Sequence, residues 1–86
     1  MFIQTEATPN PATLKFLPGR AVLETGTLDM PTREAAAQSP LAAKLFDVAN
    51  VGAVFFGSDF IAVTKTGGEW QQLKPAILGA IMEHYM

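Results

Sequence analysis

The sequence predicts an α+β fold, a two-layer sandwich with a mainly antiparallel sheet of about four strands and helices on one face. Two apolar runs rich in β-branched and aromatic residues, 51–56 and 60–65, flank the turn residues Gly57-Ser58-Asp59 and read as a hairpin. Residues 69–86 carry a different rhythm. Trp70, Leu73, Ile77, Ala80, Ile81 and His84 fall on one side at about 100° per residue, the signature of a helix with one face in the core. Hydrophobic residues make up 49% of the 86 and charged residues 16%. That supports one compact core and argues against disorder.

The elements follow in the order ββ(β)αββα. Residues 2–6 are short and partly β-branched, which suits a first strand. Thr8-Pro9-Asn10-Pro11 is a rigid turn, because each proline fixes its own φ and pushes the preceding residue away from the helical region. Leu14 and Phe16 alternate with Thr13, Lys15 and Leu17 in a second strand over 12–17, paired with the first as an antiparallel hairpin. Gly26 interrupts the next stretch, which reads as loop with an extra edge strand near 25–29. Ala35, Ala36 and Ala37 mark a short helix over 31–38. Ser39-Pro40 opens another over 40–48, with serine as N-cap and proline at the first helical position. Pro75 belongs in the first turn of the last helix, so regular helix is expected from near Gln72.

Composition narrows the function. The chain is acidic, with net charge −2, and a general nucleic-acid binder is normally basic because phosphate contacts supply its affinity. The apolar runs are far shorter than the ~20 residues of a membrane-spanning helix, and the first residues lack the pattern of a secretory signal. There is no cysteine and one histidine, so one copy has no thiolate to act as nucleophile, redox centre or cluster ligand. The acids Glu24, Asp29, Glu34 and Asp47 show no paired spacing. His84 reads as a helix-terminal residue near the negative end of the macrodipole, and no hydroxyl has a histidine placed to activate it. The chain reads as a binding module and not as an enzyme, with no catalytic, metal or cofactor-binding residue of its own.

The binding candidates lie on the 51–65 hairpin. Side chains alternate along a strand, so Phe55 and Phe56 point to opposite faces and one of them can reach a partner. Asp59 sits at the tip, where aspartate also serves as an ordinary turn residue. Phe55, Phe56 and Asp59 are therefore the expected partner contacts. A different reading is a stand-alone structural or regulatory module that self-associates weakly through the Phe55/Phe56 hairpin.

These same stretches resemble the N-terminal domain of Nfu-type (NifU-like) iron–sulfur cluster scaffold proteins. The likeness rests on Phe2-Ile3-Gln4-Thr5, Thr8-Pro9-Asn10-Pro11, Leu14-Lys15-Phe16 and Pro18-Gly19. It continues through Ser39-Pro40-Leu41-Ala42, Val54-Phe55-Phe56-Gly57, Asp59-Phe60-Ile61, Val63-Thr64-Lys65 and Leu73-Lys74-Pro75. The resemblance implies one N-terminal domain over 1–86 and a second, C-terminal domain absent from this chain. In that family the second domain carries a Cys-x-x-Cys pair, and two chains share one [4Fe–4S] cluster. It implies a role in cluster assembly and delivery, with this part docking client apo-proteins or assembly factors. No cluster-ligand role transfers to any residue here. The expected compartment is the cytoplasm of a bacterium, or the mitochondrial matrix if the source is eukaryotic. Met86 is an apolar helical residue at the chain end, which leads us to expect that more protein follows.

Overall fold

The computed structural model describes residues 2–86. The strands are β1 (Gln4–Ala7), β2 (Thr13–Leu17), β3 (Leu28–Met30), β4 (Val51–Phe56) and β5 (Ile61–Lys65). The helices are α1 (Arg33–Ala36), α2 (Pro40–Phe46) and α3 (Trp70–Tyr85). The strands form one sheet in the order β1-β2-β5-β4-β3, antiparallel at every junction. The two expected hairpins thus lie side by side, joined through β2 and β5, and the edge strand near 25–29 forms at Leu28–Met30 against β4. The first strand lies further along the chain than the expected 2–6.

Alternation decides which side chains go inward. Leu14 and Phe16 of β2, Met30 of β3, Val54 and Phe56 of β4, and Ile61 and Val63 of β5 form one buried cluster. Ala36, Leu41, Ala42, Leu45, Phe46, Leu73, Ile77 and Ile81 of the helices complete it. The helices therefore cover a single face of the sheet. Leu73, Ile77 and Ile81 are the buried positions of α3, the i, i+4, i+8 row of its apolar side.

Local chemistry sets the boundaries. Asn10 to Thr13 is a β-turn closed by the Thr13 N–H to the Asn10 carbonyl at 2.9 Å, with Pro11 second. The Asn10 side chain accepts from the Ala12 N–H at 3.0 Å, the local bond that suits asparagine to turns. Indole Nε1 of Trp70 donates to the Pro11 carbonyl at 3.0 Å, and its ring meets Phe16 edge-on at 6.5 Å. The start of α3 is thereby fastened to the first hairpin.

The helices depart from expectation at their ends. Helix α1 is confined to Arg33–Ala36, because Thr32 caps it by accepting from the Ala35 N–H and is itself extended. Ser39 is extended as well, and caps α2 by accepting from the Ala42 N–H at 3.2 Å. Helix α2 stops at Phe46 with Asp47 as its C-cap. The guanidinium of Arg33 holds that end, donating to Asp47 Oδ1 at 2.8 Å and to the Phe46 carbonyl. Helix α3 begins at Trp70 and not near Gln72, so Pro75 falls in its second turn. Proline there removes the N–H that the Gln71 carbonyl would otherwise receive. Gln71 and Pro75 are both exposed, so water can serve that carbonyl. Gly68, at φ +75°, makes the turn into α3, a conformation that costs glycine little.

Ile77 is fully buried at the centre of this cluster. Ile77→Ala removes packed methylenes that the rigid layers cannot fully replace, and is expected to cost about 2–5 kcal/mol. Urea unfolding of the two proteins reads that loss directly. For a domain this small it takes much of the total stability.

Candidate partner-binding site

The sheet face away from the helices has no covering layer among the described residues. The cross-strand register places Glu6, Lys15, Ala62, Phe55 and Asp29 in one row across all five strands. Thr13, Thr64 and Ala53 form the next row. The hydroxyls of Thr13 and Thr64 are 2.8 Å apart and hydrogen-bonded. The rings of Phe55 and Phe60 stack with centroids 6.1 Å apart. Lys15 Nζ lies 4.4 Å from the Phe60 centroid, a distance at which a cation is attracted to the ring face. Phe55, Phe60, Ala62 and Leu17 are each half-buried, so this is an apolar surface with polar and charged groups along its edges.

Position 57 explains how Phe60 comes to lie flat. A Cβ built on Gly57 would stand 2.2 Å from Phe60 Cε1, so the ring uses the space that a side chain would fill. The Gly57 N–H donates to the Phe60 carbonyl at 3.0 Å and closes the turn. The Ser58 carbonyl accepts from the N–H groups of Val22 and Leu23. Those two residues form no strand but tie their loop to the hairpin.

Of the three expected contacts, Phe55 is on the open face and Asp59 is exposed at the hairpin tip. Phe56 is 2% exposed. It faces the helices and is corrected from a contact to a core residue. Asp59 borders a shallow concavity of about 520 Å³ with Phe2, Gln4, Leu17, Gly19 and Arg20. The ion pairs among the described residues, Arg33–Asp47 and Lys44–Glu83, are both on the helix side. The hydrogen bond from Lys44, reinforced by its charge, holds the Glu83 carboxyl below the ordinary glutamate range. Burial pushes the Tyr85 phenol up, partly offset by the guanidinium of Arg20, which lies 4.5 Å over its ring. His84 packs against the Tyr85 ring at 4.9 Å. The sequence reading missed Lys15 and Ala62 as members of the open face. The available signal was their odd-and-even alternation against buried Phe16 and Ile61.

Residues 3–86 match the family described as scaffold protein Nfu/NifU N terminal. The chain belongs to the Nfu/NifU N-terminal family. It is similar to the human mitochondrial NFU1 iron–sulfur cluster scaffold homolog, at 56% identity over 99% of this chain and 34% of that protein. It is also similar to the Arabidopsis thaliana mitochondrial NifU-like protein 4, at 49% identity over 99% of this chain and 30% of that one. The chain thus spans about a third of the length of these curated relatives. Both are mitochondrial proteins, in keeping with the compartment expected for a eukaryotic source. Two solved structures share the fold. One is the solution structure of a NifU-like protein from Saccharomyces cerevisiae, with TM-score 0.82 and 24% identity over 95% of this chain and 76% of that one. The other is the crystal structure of a Staphylococcus aureus protein, with TM-score 0.79 and 22% identity over 94% and 99%.

The donors of this Nfu/NifU N-terminal domain do not fit an iron–sulfur cluster. Such clusters are held mainly by thiolates, and the sequence contains no cysteine. Among the described residues, no three histidine, aspartate or glutamate side chains gather into a group that could hold a metal. No described helix is long and apolar enough to cross a membrane.

Gly57→Ala tests the origin of the stacked pair. The added methyl must push the Phe60 ring away, and the Phe55–Phe60 stack should open. We expect upfield-shifted ring protons to return toward random-coil positions in proton NMR, with a stability loss of about 1–3 kcal/mol.

Proposed function

We propose that this chain is the recognition domain of an iron–sulfur cluster scaffold or carrier, docking client apo-proteins or assembly factors without ligating a cluster. One observation carries the reading: a member of this scaffold family spans 84 matched residues without a single cysteine. A domain with no thiolate contributes to cluster traffic by contact. The cluster itself is cargo, held in the full-length protein by a Cys-x-x-Cys pair in a C-terminal domain beyond this chain. Docking raises the effective concentration of the tethered cluster beside the recipient site, so this domain gains rate and selectivity without chemistry of its own. It is not an enzyme in this reading. Its partners are proteins, neither nucleic acid nor membrane. It works in mitochondria if the source is eukaryotic and in the cytoplasm if it is bacterial.

The open sheet face is the surface that supports contact, with Phe55 beside the central Ala62 and Asp59 at its margin. An aromatic anchor surrounded by polar groups has the composition of an interface hot spot.

Two measurements test this proposal. A photo-crosslinking residue at position 55 should capture iron–sulfur apo-proteins or assembly factors in cells of the source organism, while the same probe at exposed Glu34 should not. Equal capture at both positions, or none of that class at 55, would remove the open face as the docking site. Separately, anaerobic incubation of the protein with iron and sulfide should leave no bound sulfide after gel filtration. Stoichiometric retained sulfide with charge-transfer absorbance would contradict a role limited to contact.

A further inference from the structure

We infer that a second copy of this chain covers the open sheet face, related by a two-fold axis parallel to the strands and midway between β4 and β5. The register supplies the argument. Across β2, β5, β4 and β3 the row reads Lys15, Ala62, Phe55, Asp29. A two-fold between the middle pair brings Lys15 of one copy over Asp29 of the other, and Phe55 over Ala62. Both relations occur twice, as an isologous contact requires. The ring of Phe55 meets a methyl group, and the cation meets an anion. In the next row the same axis sets Thr64 over Ala53, again a larger group against a smaller one. Faces packed in this way stand about 10 Å apart, with the two sets of side chains filling the gap.

The charges are available for this role. Among the described residues, neither Lys15 nor Asp29 takes part in an ion pair within the chain. Lys15 Nζ is held over the Phe60 ring, above the apolar surface and near the approaching copy. Other pairings are worse. A two-fold along the row would set each Lys15 against its own equivalent. One centred on β5 would bring Glu6 of each copy against Asp29 of the other.

The area sets the strength. The four strands that overlap, β2, β5, β4 and β3, at about 4.8 Å spacing and about 10–20 Å length, make a face of about 300 Å². Stable interfaces bury about 800 Å² per partner, so the dimer is weak and reversible. This inference does not rest on the docking proposal, because a chain with no client would still pair. Where both hold, partner and second copy compete for one face.

The experiment is a charge swap read by sedimentation equilibrium of the 86-residue protein from about 10 μM to 1 mM, at low salt where exposed charges act over longer range. The wild-type protein should rise in average mass from 9.2 kDa toward twice that value. Lys15→Glu and Asp29→Lys each place like charges opposite one another, and each should weaken association by about tenfold or more. An equimolar mixture of the two variants should regain near-wild-type association. In the mixed dimer Glu at 15 faces Lys at 29, and Asp29 faces Lys15. Both positions have solvent access, and circular dichroism checks that each variant is folded. A wild-type protein that stays monomeric to 1 mM overturns the inference. So do single variants that associate as well as wild type, or a mixture that fails to recover. The last result would leave a dimer but refute this arrangement. None of these outcomes bears on client capture at position 55, so the two proposals fail separately.

Discussion

Leu14 pairs with Val63 and Phe16 with Ile61 across the junction of β2 and β5, and these four buried residues share one core with Leu73, Ile77 and Ile81 of α3. The rest of the molecule depends on that contact. It fuses two hairpins into one sheet, and it decides which face of the sheet the helices must cover. A chain of this length has enough helix for one face. Once Phe16 and Ile61 point inward, alternation sends Lys15 and Ala62 outward. Phe55 follows them on β4, and the second face is left with aromatic and charged side chains and, among the described residues, no layer above it.

Much of this was legible in the residues, for reasons that differ by element. The hairpin at 51–65 announced itself through the run of β-branched and aromatic residues on either side of Gly57-Ser58-Asp59. The start of α2 was equally plain, since Ser39-Pro40 combines a capping hydroxyl with a proline whose missing N–H costs nothing there. What escaped was set by competition between neighbouring segments. Three alanines favour a longer α1, yet Thr32 and Ser39 are both drawn into extended caps, and only four residues remain between them as helix. Pro75 points to a late start for α3. The indole bond to Pro11 and the packing on Phe16 instead hold Trp70 in place as the first helical residue. Tertiary contacts overrule local preference in both cases.

The site was half legible. Alternation guarantees that Phe55 and Phe56 diverge, but it does not say which goes inward, because both flanking runs are apolar on both faces. The register resolves this, since Phe56 lies opposite Ile61 and Phe55 opposite Ala62. The same register shows why Lys15 was overlooked: it is 47 positions from Ala62 in the chain, and only strand pairing makes them neighbours. The family's N-terminal pattern, read from short motifs spread along the chain, matches residues 3–86.

The joining of β2 to β5 also governs how the chain reaches this structure. Each hairpin closes locally, an event of about 1–10 μs, but Thr13 and Thr64 are 51 positions apart. Bringing them together means closing a long loop before any buried contact between the hairpins repays the lost entropy. Slow folding steps in mixed α/β domains follow such non-local pairings. Joining the two hairpins is therefore the step with the largest cost in chain entropy, and the Leu14–Val63 pair lies among the contacts that repay it. Until the hairpins meet, the inner edges of β2 and β5 are both unpaired, which makes that brief interval the time when the chain is most open to pairing with a wrong neighbour.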